Sequence, residues 1–404
     1  MKILAISSTF PYPPTRGGTH NRTFNLLKNI AQNHQVTIIT QRPPEVTDAE
    51  VAGLREWVEE VIVFPRPKEA KGGIIAKLKR TAEFLQKGTP PNVMYLYDPK
   101  IQKWIDEAVA AGKFDAITCE HSVNEVYIRS EWKKQLKTAI NIHSSVYRTC
   151  KNQLETGTSD NPSRDKLYLP LLKRYEKNSV QKFSNIVVTT DEDWQQMREF
   201  SSNSEVTISP NGVDLAEFTY RKSDPGGHHL IFCGGLDYFV NIDGACVLGK
   251  EILPRLQEKY PDTTVTLVGS KPAPEVLALA ENPAITVTGR VPSMTEYLHR
   301  ATVCVVPLRS GFGMKIKTLE AMAAGVPVVG SNRGLEGLNV DGDGVPLRGI
   351  RANSIPEYVE AVTRLFEDAK LREELSRNAR SFIEENYTWE GAAKIYERVL
   401  EGKG

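Results

Sequence analysis

The fold is decided by residues 302–329, which read TVCVVPLRSGFGMKIKTLEAMAAGVPVV. An apolar, β-branched run ends near Pro307, and a glycine-rich loop follows it. A helical stretch with Lys315, Lys317 and Glu320 then leads to a second apolar run. Continuous apolar runs are typical of strands that are covered on both faces, as in parallel sheets. A strand, a helix and a strand in this order predict a right-handed βαβ unit.

The same alternation extends over most of the chain. Strands are predicted at residues 2–7, 35–40, 61–64, 115–119, 138–142, 185–190, 229–233, 263–268, 284–288, 302–306 and 326–329. Because these are many strands for one twisted sheet, two parallel sheets are predicted. The sequence therefore predicts an α/β protein with a first domain at 1–214 and a second at 215–387. The C-terminal helix, 388–404, is able to pack back on the first domain.

Composition narrows the class of protein. The 404 residues allow two or three domains, and 51 Lys and Arg balance 50 Asp and Glu, which argues against a globally basic nucleic-acid binder. The sequence has no run of 18 or more apolar residues, so no membrane span is predicted. The start, residues 1–7, is too briefly apolar for a signal peptide. The five cysteines form no CxxC pair, so we interpret them as buried apolar side chains in a cytoplasmic protein.

Several motifs are absent, and each absence removes an activity. GxGxxG is absent after the first strand, so a dinucleotide fingerprint is not predicted there, and GxxxxGK[ST] is absent throughout. HExxH and GxSxG are absent too, so hydrolase interpretations lack support. The first-strand loop instead carries Gly17 and Gly18 just before a helix. Two glycines there let backbone amides approach an anion, although a simple turn is the alternative.

The stretch after Pro307 has the chemistry of a nucleotide site. Gly313 gives access to the backbone, and Lys315 and Lys317 are able to neutralise phosphate. Glu320 lies three residues after Lys317 on the same helix face, and its carboxylate is able to accept both hydroxyls of a ribose. The alternative is a Lys–Glu pair on the surface of a helix.

At this point the chain resembles a known family. The motifs that carry the resemblance are Leu319–Ala323, Gly325–Val329, Pro210–Asp214, Val268–Gly269, Gly289–Val291 and Tyr387–Trp389. In this order they resemble family 4 glycosyltransferases of the GT-B fold, over nearly the whole chain. On these motifs the chain is identified as a divergent member of that family.

The resemblance implies a fold and an activity. It implies two Rossmann-like domains that face each other across a cleft, with C-terminal helices. The second domain would bind a nucleoside diphosphate sugar, and the first would bind the acceptor. The implied reaction is transfer of the sugar to an acceptor hydroxyl with retention, with no metal and no cofactor.

The resemblance also implies roles for single residues. Glu320 would hold the ribose, and the backbone at Arg290 and Val291 would meet the base. The loop with Gly17 and Gly18 would contact the donor phosphate. His121, at the end of the strand 115–119, would approach the donor sugar as a catalytic residue.

The chain departs from the family pattern at three positions. Gly235 and Val240 stand where the family has an Arg and a Lys, and Phe312 stands where it has a sugar-binding Glu. The segment after Pro307 supplies other cations, namely Arg309, Lys315 and Lys317. We therefore predict that Lys315, together with Lys317, replaces the missing cations and anchors the diphosphate. The alternative is that these lysines are solvated and that backbone amides alone hold the diphosphate.

Two other functions stay open at this stage. One is a nucleotide-sugar 2-epimerase of the same fold, and the other is a catalytically inactive homologue that binds nucleotide or glycan.

His143, which also follows a strand, is a further candidate for a sugar or phosphate contact. The acidic triplets 191–193 and 341–343 are interpreted as the first turn of a helix, capped by Asp191, and as a turn. No metal site is predicted from them.

A basic stretch in the first domain suggests a further contact. Residues 66–87 carry seven cations and two carboxylates, with apolar residues at helical spacing. A helix of this kind is able to lie on an anionic membrane face, although a solvated helix face is the alternative. The predicted partners are thus a nucleotide-sugar donor, a glycan, lipid-linked or small-molecule acceptor, and no nucleic acid. The predicted location is cytoplasmic, with peripheral contact at the inner membrane face left open.

Overall fold

The computed structural model describes residues 1–67, 81–86, 88–201 and 203–403. The chain divides into two compact units. Unit 1 comprises Met1–Pro210 and Ala392–Gly404, and unit 2 comprises Asn211–Gly391. The sequence analysis predicts the boundary between the two domains at residue 214, and the structure has it at residue 210. The chain passes from unit 2 back to unit 1 within the helix Trp389–Glu401.

Unit 1 is built on a parallel sheet with the strand order β3-β2-β1-β4-β5-β6-β7. Its strands are β1 Lys2–Ser7, β2 Gln35–Arg42, β3 Glu60–Pro65, β4 Ala116–Glu120, β5 Lys137–Asn141, β6 Asn185–Val188 and β7 Glu205–Ile208. After Lys2 every residue of β1 is buried, because helices cover both faces of a parallel sheet. The six strands predicted for this half of the chain are confirmed.

The helices of unit 1 follow the strands in alternation. They are Pro14–Arg16, Gly18–Ile30, Asp48–Arg55, Pro91–Leu96, Pro99–Ala110, Ser122–Tyr127, Ser130–Lys134, Val146–Glu155, Pro162–Val180 and Asp191–Phe200, with helical residues also at 81–86. Side chains next to the first turn cap the N-termini of several of these helices. Thr47 and Glu50 form a reciprocal capping box, and Thr190, rather than the predicted Asp191, caps the last helix. A hydroxyl one residue earlier reaches the amide of Asp193, so Asp191 contributes charge to the first turn instead.

Unit 2 has a second parallel sheet, with the order β10-β9-β8-β11-β12-β13. Its strands are β8 His229–Cys233, β9 Thr264–Val268, β10 Ile285–Val287, β11 Val303–Val306, β12 Val328–Gly330 and β13 Ile350–Arg351. The helices are Phe239–Val247, Leu248–Ile252, Leu253–Gln257, Pro274–Leu277, Ala278–Glu281, Met294–Arg300, Ile316–Ala323, Ile355–Glu367, Ala369–Asn386 and the start of Trp389–Glu401. The five strands predicted here are confirmed, and so is the α/β class with two parallel sheets.

Two strands escaped prediction, and both lie at a sheet edge. β7 reads EVTI and begins with an exposed glutamate, and β13 has only two residues. Edge strands are short and half-polar because only one neighbour pairs with them. They therefore lack the continuous apolar run that marks the central strands.

Three further predictions concern single features. Four of the cysteines are buried and one is partly buried, and all five are free. Among the helices of the described ranges, none combines the length and the apolar character that a membrane crossing requires. The basic stretch 66–87 falls largely on residues 68–80 and 87, which lie outside the described residues.

Candidate functional site

The loops at one edge of the unit 2 sheet form a row. All strands of this sheet run parallel, so the loops that follow them lie along its carboxyl edge. In spatial order these loops are 288–293 after β10, 269–273 after β9, 234–238 after β8, 307–315 after β11 and 331–337 after β12. Neighbouring strands are about 4.8 Å apart, so the row extends over about 19 Å.

Lys317 brings a cation to the loop after β8. Its Nζ lies 2.5 Å from Oδ1 of Asn241 and 4.3 Å from the centre of the Phe232 ring. A Cβ on Gly234 would stand 2.6 Å from this Nζ, so the ammonium lies directly against the glycine backbone. Burial lowers the pKa of Lys317 to about 8. This is the loop in which Gly235 replaces the arginine of the family pattern.

Val240, which stands where the family has a lysine, belongs to the core. It is buried and packs within the apolar cluster of unit 2. A Cβ on Gly311 would lie 3.1 Å from a methyl group of Val240, so the loop after β11 rests on this side chain. Gly311 has φ of 87° and Gly313 has φ of 86°, which favour glycine at both positions. The valine thus shapes the glycine loop instead of supplying charge.

The other two predicted cations have carboxylate partners. Lys315 donates to the carbonyl oxygens of Gly311 and Gly313, and its Nζ lies 3.4 Å from the carboxylate of Glu336. Arg309 forms a two-pronged ion pair with Asp243. Lys317 therefore reaches the β8 loop and Lys315 reaches the β12 loop. Arg309 is paired with Asp243 at a half-exposed position.

Glu320 lies one helical turn beyond Lys317. Burial, together with the nearby carboxylate of Glu217, raises its pKa to about 7, while Lys317 opposes the shift. A carboxylate in this setting gains from a partner that donates hydrogen bonds. At the far end of the row, Arg290 is exposed and Val291 packs on the core of the unit. The predicted site residues of unit 2 thus all lie along one edge of one sheet.

In unit 1 the loop after β1 leads to an uncapped helix start. The ring of Tyr12 lies against Gly53, where a Cβ would approach to 2.7 Å, and Arg16 pairs with Glu50 at 2.6 Å. Gly17 is extended, with φ of 161°, and a Cβ there would meet only an imidazole nitrogen at 3.6 Å. No side chain caps the first turn of Gly18–Ile30. The fold does not require glycine at position 17, so its role as an approach for an anion stays a prediction.

His121 occupies a strained backbone position after β4. Its φ is 78°, which is uncommon for a residue with a side chain, and strained positions of this kind cluster at functional sites. Its ring centre lies 5.1 Å from that of His143. Burial, with the neighbouring His143, lowers the pKa of His121 to about 3. The imidazole is therefore neutral at physiological pH and is able to exchange hydrogen bonds, but it adds no positive charge.

A buried polar network behind His121 was missed by the sequence analysis. Glu120 accepts hydrogen bonds from Asn141 at 2.8 Å and from the hydroxyl of Tyr396 at 2.8 Å. Arg22 donates to Asn141 at 2.9 Å and to the carbonyls of Ser209 and Pro210 at 2.9 and 3.0 Å. The sequence does contain a signal for this network, because Glu120 lies at the end of a strand and Arg22 lies inside a helix. Charged residues are rarely buried without partners, so their positions indicate a network.

The acidic triplets are engaged in structural contacts. Thr190 caps the helix that carries Asp191, and Asp341 pairs with Arg351 at 2.9 Å. Within the described part of the chain, no group of three or more His, Cys, Asp or Glu side chains is arranged to hold a metal ion.

Two family models match the chain in succession. The model described as Glycosyltransferase Family 4 matches residues 16–217, which is half of the chain. The chain belongs to this family. The model described as Glycosyl transferases group 1 matches residues 227–368. The protein is therefore a glycosyltransferase, and the two matches fall on the two halves that carry the parallel sheets.

Relatives of this glycosyltransferase include proteins of several kinds. A protein of the cps region of Klebsiella pneumoniae, described as an uncharacterized 44.6 kDa protein, is 21% identical over 99% of both chains. The D-inositol 3-phosphate glycosyltransferase of Pseudarthrobacter chlorophenolicus is 28% identical over 47% of this chain and 48% of its own.

Solved structures share the fold. Sucrose-phosphate synthase from Thermosynechococcus elongatus matches with a TM-score of 0.72 at 19% identity, over all of both chains. The Anabaena protein HepE, solved in complex with UDP-glucose, matches with a TM-score of 0.65 at 14% identity, over 100% of this chain and 99% of its own. These structures support the GT-B fold for the glycosyltransferase.

Proposed function

We propose that this glycosyltransferase moves a sugar from a nucleoside diphosphate sugar to an acceptor hydroxyl, with retention and without a metal ion. The observation that carries the proposal is the position of Lys317. Its ammonium lies against Gly234, in a loop whose sequence contains no cation of its own. A lysine held at a glycine loop, beside backbone amides, has the chemistry of a diphosphate site.

The row of loops suggests how the donor is laid out. The base would meet the loop with Arg290 and Val291, and the ribose hydroxyls would donate to Glu320. The diphosphate would lie between Lys317 and the backbone of Gly234. The layout is supported by Lys317, which shares a helix with Glu320 and reaches Gly234, and by a protein of the same fold, Anabaena HepE, that was solved with UDP.

The chemistry needs positive charge where the diphosphate departs. Breaking the bond to the sugar develops negative charge on the leaving oxygen, and a nearby cation stabilises that state more than the bound donor. In our proposal Lys317 supplies this charge first and Lys315 assists it from the start of the same helix. The backbone of Gly313 would add hydrogen bonds to the phosphate. For unit 1 we propose that Gly17, Gly18 and the neutral imidazole of His121 offer hydrogen bonds to a substrate.

The function is tested by turnover and product analysis. The protein is incubated with a panel of nucleotide sugars and simple acceptors, and released nucleoside diphosphate is measured. The anomeric configuration of the product is then read by NMR. Transfer with retention supports the proposal. A free 2-epimer would indicate the epimerase, and nucleotide binding without any turnover would indicate an inactive homologue.

Chelation separates metal-independent from metal-dependent transfer. We expect activity in 5 mM EDTA to stay within about twofold of the untreated protein, because cationic side chains hold the diphosphate in our proposal. Initial rates of nucleoside diphosphate release are measured before and after dialysis against EDTA. A strict requirement for added Mn²⁺ or Mg²⁺ would contradict the expectation and direct attention back to Asp191 and Asp341.

The pH dependence of binding tests Glu320. Its pKa near 7 means that the carboxylate is mostly protonated at pH 6 and mostly ionised at pH 8. Ribose hydroxyls donate to the ionised form, so nucleoside affinity should rise towards pH 8, by up to about tenfold per pH unit below the pKa. Nucleoside diphosphate affinity should fall again above pH 8, where Lys317 loses its proton.

Calorimetric titrations from pH 6 to 9 measure both trends. Glu320→Gln should flatten the rise for the nucleoside. The control, Glu373→Gln, alters an exposed helix carboxylate that pairs with Arg377, and it should leave the profile unchanged. A profile that is the same in wild type and in Glu320→Gln would remove Glu320 from the ribose site.

A further inference from the structure

The ammonium of Lys317 is held by a side chain from the helix Phe239–Val247, which follows β8. Among the described residues its one hydrogen-bond acceptor is Oδ1 of Asn241, at 2.5 Å, and the centre of the Phe232 ring lies 4.3 Å from Nζ. A lysine ammonium has three N–H donors. One hydrogen bond therefore leaves two donors of Lys317 for a ligand.

Asn241 joins this ammonium to the loop after β8. Its side-chain amide donates from Nδ2 to the carbonyl of Gly235 at 2.8 Å, and its backbone N–H donates to the carbonyl of Tyr238 at 2.8 Å. A Cβ on Gly234 would stand 2.8 Å from Nδ2 and 2.6 Å from Nζ of Lys317. The amide and the ammonium thus pack against the same glycine, and a change in the amide would move the ammonium.

The two partners of the Asn241 side chain set its orientation. An ammonium offers only N–H donors and a carbonyl only accepts, so the amide oxygen faces Lys317 and the amide nitrogen faces Gly235. An aspartate of the same size would satisfy only Lys317, and a leucine would satisfy neither partner. The position therefore requires a side chain that accepts on one side and donates on the other.

We propose that Asn241 is a positioning residue for the departing diphosphate, because it keeps the ammonium of Lys317 charged and fixed at the backbone of Gly234. A lysine carries its charge on a flexible chain, so transfer gains when the ammonium is in place before the bond to the sugar breaks. A hydrogen bond to the charged form also opposes the loss of its proton. This inference rests on the proposed function, in which Lys317 binds the diphosphate.

The proton of Lys317 is sensitive to its surroundings. Burial lowers the pKa of Lys317 to about 8, and Lys315 lowers it further, while Cys233, Cys304 and Glu320 raise it. Burial raises the pKa of both thiols, to about 12 for Cys304, so neither carries charge between pH 6 and 9. Loss of the Asn241 acceptor would therefore bring the deprotonation of Lys317 towards physiological pH.

The titration of Lys317 in the unliganded protein is the first test. Its acetylation by trace acetic anhydride is followed from pH 6 to 10 by mass spectrometry, since only the neutral amine reacts. We expect Asn241→Leu to move the titration to lower pH by about 1 pH unit, and Asn241→Asp to move it to higher pH. A residue that only supports the loop would not produce shifts in opposite directions.

A double-mutant cycle is the second test. Nucleoside diphosphate affinity is measured by calorimetry at pH 7.5 for Asn241→Leu, for Lys317→Ala and for the double variant. We expect Asn241→Leu to weaken binding about tenfold in the wild-type background and less than about twofold in the Lys317→Ala background, because its effect passes through the ammonium. Nucleoside affinity should change little in either background.

Asn378→Leu is the matched control. Asn378 lies on the helix Ala369–Asn386 of the same unit and donates its side-chain amide to the carbonyl of Leu347 at 3.0 Å. Its replacement removes a comparable hydrogen bond and should leave the titration of Lys317 and the diphosphate affinity unchanged. Thermal unfolding of every variant is recorded, and Asn241→Asp, which keeps the size of the side chain, carries the titration test if Asn241→Leu does not fold.

Two results would overturn the inference. One is a titration of Lys317 that the Asn241 variants leave unchanged, and the other is an equal loss of diphosphate affinity with and without Lys317. Absence of nucleoside diphosphate binding, or unchanged binding in Lys317→Ala, would defeat the proposed function and the inference with it. The unliganded titration would still separate that failure from a failure of Asn241 to hold the ammonium.

Discussion

Replacing Lys317 by alanine should lower turnover by about 10- to 150-fold. A hydrogen bond to a charged group contributes about 1.5–3 kcal/mol, and this one would act on the departing diphosphate. Nucleoside diphosphate affinity should fall as well, whereas nucleoside affinity should change little. Steady-state rates and calorimetric titrations measure the three effects. Lys250→Ala, at an exposed position of the same unit, is the control.

Two further variants show whether the position of the ammonium matters. Gly234→Ala places a Cβ 2.6 Å from Nζ, and φ of 149° is already unfavourable for a side chain, so it should displace Lys317 and weaken diphosphate binding. Lys315→Ala should also reduce turnover, since Lys315 holds the glycine loop through two carbonyls. Wild-type turnover and diphosphate affinity in both lysine variants and in the double variant would end the idea that these lysines anchor the leaving group.

Replacing Arg22 by methionine should destabilise unit 1 by about 3–5 kcal/mol. The side chain is 1% exposed, and its loss would leave the oxygens of Asn141, Ser209 and Pro210 without their donor in a buried place. It would also remove the positive charge that compensates buried Glu120. We expect a large decrease in the urea concentration at the unfolding midpoint.

Tryptophan fluorescence is a suitable probe for this experiment. Four of the five tryptophans lie in unit 1, namely Trp57, Trp104, Trp132 and Trp194. Arg55→Met, at an exposed helix position, is the control and should change the midpoint little. A loss below about 1 kcal/mol in Arg22→Met would show that the network is not needed for stability.

The central strands were predictable from the sequence because burial on both faces requires a continuous run of apolar residues. Val303–Val306 is a continuous apolar run, and its register with β8 and β12 places it inside the sheet. The edge strand Glu205–Ile208 lacks such a run, since one side of it meets no neighbouring strand. Hydrophobic pattern therefore located the central strands and one edge strand of each sheet, and it missed the other edge strand, which is β7 in unit 1 and β13 in unit 2.

The site was predictable where its residues come from one segment. Lys317 and Glu320 share a helix, so their spacing alone placed them on one face. The partners of the lysines lie elsewhere in the sequence: Asn241, in the helix after β8, is 76 positions from Lys317, and Glu336, in the loop after β12, is 21 positions from Lys315. Such contacts depend on the order of strands in the sheet, which no local pattern contains.

The helix Trp389–Glu401 makes unit 1 depend on residues that follow unit 2 in the sequence. Tyr396, Val399 and Leu400 are buried, and Tyr396 reaches Glu120 beside His121. During synthesis all of unit 2 is translated before these residues, because Asn211–Gly391 precedes them in the sequence. Until these residues are translated, unit 1 therefore lacks the apolar side chains of the helix and the hydrogen bond that Tyr396 donates to Glu120. A gene fragment that stops at residue 210 would encode this incomplete intermediate, and recombinant production of unit 1 by itself requires residues 392–404 to be supplied as a second piece or a fused segment.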